Sequence, residues 1–343
     1  MITRSRFLQV LAGGAGALAL AGCGAQKATD AGDEGKKDAA AEPVAVRAAA
    51  LKGPTAMGLV KFMSEVDAGN LKDEDYSFQI LASADEVAPL ISKSEADIAA
   101  VPANLASVLY NKTSGAVRVI AVNTLGVLYI CELGNTVNTV ADLRGKTIFS
   151  AGKGATPEYA LEYVLRANGL DPAADVTIEW KSEHAECVAA LLAEDNAIAM
   201  LPQPFVTTAQ TKSDKIQVRL DLTAEWDAVQ KDSEAPSQLI TGVVVARKAF
   251  VEENPEAVAA FMDSYAASVD FVNANIDEAA ELVGTYEIVP AAVAQKAIPA
   301  CNITFIAGDE MKQALSGYLN VLFEQNPKAV GGVMPGDDFY YAK

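Results

Sequence analysis

The sequence predicts an α/β protein of two lobes, similar in plan and joined by two strand crossings. Three observations carry that expectation. Strand-like and helix-like runs alternate along most of the chain. A strand, loop and helix start at Lys52-Gly53-Pro54-Thr55 returns at Ser150-Ala151-Gly152-Lys153-Gly154-Ala155-Thr156-Pro157, with the two Lys-Gly pairs 101 positions apart. The offset then recurs in order. Val87-Ala88-Pro89-Leu90-Ile91 is answered by Val188-Ala189-Ala190-Leu191-Leu192, and Asp97-Ile98-Ala99-Ala100-Val101-Pro102 by Asn196-Ala197-Ile198-Ala199-Met200-Leu201-Pro202. Two lobes built this way present paired strand-to-helix loops on either side of a crevice. The alternative is chance likeness between Ala-rich segments.

The chain opens with Arg4 and Arg6 and an apolar run from Phe7 to Leu20, too short to span a bilayer and read as an export signal. It closes on Leu20-Ala21-Gly22-Cys23, which resembles the lipobox of bacterial lipoproteins. That resemblance implies acylation of Cys23 and a lipid-anchored, extracytoplasmic protein. Residues 24–43 contain no aromatic residue and only Thr29 as a β-branched one before Pro43, so they read as a flexible tether with a reach of about 25 Å.

The expected division is 1–23 signal, 24–43 tether, 44–126 with 241–343 as lobe 1, and 127–240 as lobe 2. Roughly 300 residues after the tether are more than one compact domain usually needs. In lobe 1, Val44–Leu51, Ser77–Leu81, Ile98–Val101 and Val117–Val122 read as strands, with helices at Met57–Ala68, Glu86–Lys93 and Leu105–Asn111. Val127–Glu132 reads as the first crossing. Thr147–Phe149, Val176–Trp180 and Ile198–Leu201 supply strands of lobe 2, and Leu239–Ala246 is the return crossing. Helical runs at Pro255–Ala274, Asn275–Tyr286, Ala291–Ala297 and Asp309–Phe323 are expected to pack on lobe 1.

A net charge of −18 argues against nucleic acid as a partner, because phosphate neutralisation needs a basic face. After the tether, the longest apolar run, Val117 to Cys131, is interrupted by Arg118, Asn123 and Gly126, so the body is expected to be soluble. Cys131, Cys187 and Cys301 have neither a CxxC partner nor a histidine at metal-ligand spacing and read as buried thiols. No cofactor or metal is expected.

The candidate ligand-binding residues sit in the paired loops. Lys52, Gly53, Pro54 and Thr55 match Gly152, Lys153, Gly154, Ala155 and Thr156, where the threonines could cap their helices or offer hydroxyls to a ligand. Ser83 and Asp85 match Ser182 and His184, the single histidine. Pro102 and Asn104 match Gln203 and Pro204, whose neighbouring amides could orient a polar ligand. Tyr159 and Phe205 could cover an apolar ligand face. Carboxylates at Asp85, Glu158, Glu183 and Glu186, and the lack of arginine in these loops, weigh against a simple anion clamp and leave a polar or zwitterionic ligand open.

Taken in order, the lipobox, Asp97-Ile98-Ala99 with Pro102 and Asn104, the Gly152 to Tyr159 loop, Leu201-Pro202-Gln203-Pro204-Phe205 and Asn254-Pro255-Glu256 resemble the type II periplasmic substrate-binding proteins of ABC importers. The group includes nitrate-, sulfonate-, taurine- and thiamine-precursor-binding proteins. The resemblance implies a monomer whose two lobes close on a small molecule and deliver it to permease subunits, without catalysis. Two other classes remain: an exported ligand sensor for another membrane protein, or an enzyme on the same fold. No nucleophile elbow, metal-ligand cluster or Cys/His pair supports the enzyme.

Overall fold

The computed structural model describes residues 43–71, 74–233 and 236–342. Cys23, the export signal and the tether as far as Glu42 lie outside the described residues.

The chain enters as β1 (Val44–Leu51), α1 (Pro54–Met57), α2 (Val60–Asp67), β2 (Glu74–Leu81), α3 (Ala84–Ser92), β3 (Ile98–Pro102), α4 (Ala103–Lys112) and β4 (Val117–Leu125). It crosses through β5 (Leu128–Glu132) into β6 (Thr147–Ala151), α5 (Thr156–Ala167), β7 (Thr177–Lys181), α6 (His184–Ala193), β8 (Ile198–Pro202), α7 (Phe205–Lys212), β9 (Gln217–Asp221) and α8 (Leu222–Gln230). It returns through β10 (Ile240–Arg247) to α9 (Lys248–Glu253), α10 (Pro255–Ala274), α11 (Ile276–Thr285), α12 (Ala291–Ala297), β11 (Ile303–Ile306) and α13 (Gly308–Gln325).

Two sheets result, in the orders β11-β4-β10-β3-β1-β2 and β7-β6-β8-β5-β9. The repeated plan is visible in them. β1 lies between β2 and β3, parallel to both, as β6 lies between β7 and β8. Each lobe then receives its crossing strand antiparallel beside the third strand of the repeat, β10 on β3 and β5 on β8.

The first sheet is covered on both faces, which is why its inner strands β3, β4 and β10 read as apolar runs, whereas the edge strand β2 alternates. Val46, Ala48 and Ala50 of β1 join one core with Phe62, Phe261 and Tyr265, while Ala49 joins another with Val101, Val119 and Val243. That second core continues without interruption into lobe 2 through Ile130, Ile148, Leu161 and Trp226. A third, with Cys131, Ala199 and Leu201, fills the far face of the second sheet.

Helix α13 does more than cover lobe 1. Its Tyr318 ring lies 5.6 Å from Trp226 of α8, which in turn lies 4.4 Å from Tyr163 of α5, so one aromatic row braces the two lobes. Cys131, Cys187 and Cys301 are free and buried, and burial pushes their thiols up to about 12. No helix among the described residues is long and apolar enough to cross a membrane.

Candidate functional site

The carboxyl ends of the strands in both sheets meet at one cleft. β1, β2 and β3 bring Leu51, Ala82 and Pro102 to its wall, and β6, β7 and β8 bring Ala151, Lys181 and Pro202. Its floor is the pair of crossings, with Thr124, Val127, Leu128 and Thr241. The inner part is a chamber of about 100 Å³, and it opens into a vestibule of about 340 Å³. Leu51, Lys52, Pro102, Pro157, His184 and Phe205 line both, so the two spaces are continuous.

Most residues expected from the loops line this cleft. Lys52, Pro54, Thr55, Pro102, Thr156, His184 and Gln203 border the chamber, and Ser83, Asp85, Gly152, Lys153, Gly154, Ala155 and Ser182 border the vestibule. Gly53, Asn104 and Pro204 border neither. Phe205 forms part of the wall, whereas Tyr159 packs against the core.

Asn104 is fully buried, and its amide ties the lobes together. Its Nδ2 donates to the Gly154 carbonyl at 3.2 Å across the cleft and to the Ala329 carbonyl at 3.1 Å. Thr156 Oγ1 donates to Asn104 Oδ1 at 3.4 Å and accepts from the Tyr318 hydroxyl at 3.3 Å. The capping role expected of Thr156 is therefore not observed. α5 begins at Thr156 with Ala155 at the cap and no side-chain cap bond, because the hydroxyl is turned across the lobe interface. Thr55 likewise lies inside the first turn of α1, behind Gly53, and donates to the Leu51 carbonyl at 2.8 Å.

Gln203 has a capping role that its sequence context does not reveal. Its Oε1 accepts from Thr207 Oγ1 at 2.9 Å and from the Thr207 amide at 3.3 Å, near the start of α7. Two of the four loop carboxylates serve their own loops. Glu158 accepts from the Gly154 amide, and Glu186 from the Ser182 amide at 2.9 Å. Asp85 and Glu183 remain exposed on the vestibule wall.

His184 opens α6 with its ring 5.3 Å from that of Phe205. Its Nδ1 is buried without a hydrogen-bond partner, although the residue as a whole keeps some exposure. Loss of solvent disfavours the imidazolium and pushes the pKa down to about 4, so the ring is neutral at pH 7. Thr241 Oγ1, on the return crossing, is also buried and unpartnered. Beside it, a Cβ on Gly242 would stand 2.6 Å from Asn123 Oδ1 and 2.8 Å from Thr55 Cγ2, a close approach only glycine allows. Among the described residues no group of three or more His, Cys, Asp or Glu is placed to hold a metal.

Sequence reasoning did not single out Thr124, Val127, Leu128, Pro157, Pro202 and Thr241 as wall residues. The only signal for them was that they flank the crossings or the paired loops.

Two α/β lobes, two strand crossings and a cleft walled by strand ends are the architecture of bilobal binding proteins. The same fold is seen in an ABC transporter structure from Parabacteroides distasonis, with 23% identity, a TM-score of 0.71 and coverage of 88% of this chain and 99% of that one. The periplasmic aliphatic sulphonate binding protein SsuA of Escherichia coli matches with 16% identity, a TM-score of 0.67 and coverage of 87% and 92%. The periplasmic nitrate-binding protein NrtA of Synechocystis PCC 6803 matches with 15% identity, a TM-score of 0.63 and coverage of 83% and 82%. No curated protein matches the chain in sequence. The family model described as NMT1/THI5 like matches residues 62–279, more than half of the sequence, and the chain belongs to that family.

Proposed function

We propose that this chain is an extracytoplasmic substrate-binding protein, exported, held to the membrane by lipid on Cys23, and without catalysis of its own. It captures a small molecule with polar or anionic groups between its lobes and delivers it to the permease of an ABC importer. The observation that carries the reading is the convergence of strand-end loops from both sheets on one continuous cleft. A ligand there touches both lobes at once, so binding favours the closed arrangement over an open one. Membership in the NMT1/THI5-like family and the fold shared with sulphonate- and nitrate-binding proteins support the same class.

Native mass spectrometry of the mature full-length protein tests both halves of the reading. The expected result is a chain that begins at Cys23 with added lipid mass and that releases a small molecule on denaturation, or takes one up from a metabolite panel. An unlipidated chain cleaved elsewhere contradicts the anchor. A chain that binds nothing in such a panel contradicts the transport role.

A further inference from the structure

The chamber and the vestibule differ in chemistry. The chamber, at about 100 Å³, has less than a third of the vestibule's volume of about 340 Å³, so it takes only a small part of a ligand that spans both. Leu51, Val127, Leu128 and Phe205 give it apolar walls. His184 and Thr241 also line it, with Nδ1 and Oγ1 buried and unpartnered rather than exposed to the space, so the lining offers an occupant few polar atoms. The burial that keeps the imidazole uncharged also penalises an ion placed beside it.

Charge is found further out. Lys153, Asp85 and Glu183 are exposed on the vestibule wall, Lys52 is exposed where the vestibule meets the chamber, and none of the four forms an ion pair among the described residues. Both signs are present there in equal number. Lys181, by contrast, is paired with Glu179 at 3.1 Å.

We propose that the cleft takes an amphipathic, zwitterionic ligand in one direction: a small, uncharged apolar group in the chamber against His184 and Thr241, and its charged groups outward among Lys52, Lys153, Asp85 and Glu183. This rests on the reading of the cleft as the ligand site. It differs from a site in which an inorganic or sulfonate anion occupies the innermost space.

The chain has a single histidine, so protein carrying isotope-labelled histidine gives one imidazole signal in the chamber wall. The probes are L-phenylalanine and L-leucine, which carry an apolar group and both charges; glycine, which has the charges alone; and nitrate and methanesulfonate. The expected result is a saturable shift of the imidazole signal by phenylalanine or leucine at millimolar concentration, and none by glycine, nitrate or methanesulfonate. Thr241→Val should leave affinity for the shifting probe unchanged or raise it by up to about threefold, since an apolar group makes no hydrogen bond to the hydroxyl, and the unliganded protein should melt no lower. A loss of about tenfold would mean that the hydroxyl pairs with a polar group of the probe and would overturn the orientation. Lys52→Ala should weaken binding of the shifting probe by about twofold, in a salt-dependent way.

A saturable shift by nitrate or methanesulfonate overturns the orientation while leaving the cleft as the ligand site. No shift by either amino acid overturns the ligand class. If the molecule released in native mass spectrometry also leaves the imidazole unmoved when added back, the cleft assignment falls with it.

Discussion

The loops after β1 and β6 occupy matching places in the two lobes, yet their threonines do different things. Thr55 bonds back to Leu51 in its own loop, four residues away, while Thr156 bonds across the interface to Asn104 and Tyr318. The loops after β3 and β8 diverge in the same way. Asn104 is consumed by the interface, whereas Gln203 caps α7 and borders the chamber. Repetition of a strand–loop–helix unit therefore fixes where the backbone goes, and each side chain's neighbours decide whether it faces ligand, its own loop or the other lobe.

The largest way to break this comparison is Asn104→Ala. It leaves the buried Ala329 carbonyl without this donor and the buried Thr156 hydroxyl without this acceptor, and it removes the donor to the Gly154 carbonyl on the exposed loop. A loss of about 2–4 kcal/mol is expected from denaturant titration. A loss under about 0.5 kcal/mol would mean that the inter-lobe bonds contribute nothing net.

A matched pair sharpens it. Thr156→Ala leaves the buried Tyr318 hydroxyl without its partner and should cost about 1–3 kcal/mol, whereas Thr55→Ala removes one local bond and should cost about 0.5–1 kcal/mol. Equal losses, measured by the same titration, would show that the two loops are not differentiated as described.

The sequence made the α/β plan legible because three repeat units recur at offsets of 100 or 101, and the strands they predict at Ile98 and Ile198 are central ones in each sheet. Other elements were hidden for physical reasons. β9 is an edge strand with the mixed sequence QVRLD, and β11 has only four residues, so neither carries a clear period. The helix expected at Met57–Ala68 is two pieces. Gly58 packs so closely on α10 that a Cβ there would lie 3.2 Å from Tyr265 and 3.3 Å from Val269.

Within the site, loop residues were legible because glycine, proline and hydroxyl residues punctuate strand ends. Thr241, Val127 and Leu128 were not, since an apolar crossing strand that walls a cavity has the same pattern as one buried in a core. Asn104 was misleading for a different reason. Its partners Gly154 and Ala329 are 50 and 225 residues away, beyond any local pattern.

Hydrogen exchange, with and without the molecule released in native mass spectrometry, most directly tests whether the paired loops of both lobes hold one ligand. The amides at Lys52, Gly53 and Thr55 and those at Gly152, Lys153, Gly154, Ala155 and Thr156 should become protected together, at the same ligand concentration. Protection confined to one lobe, or found only away from the cleft, would contradict the shared site.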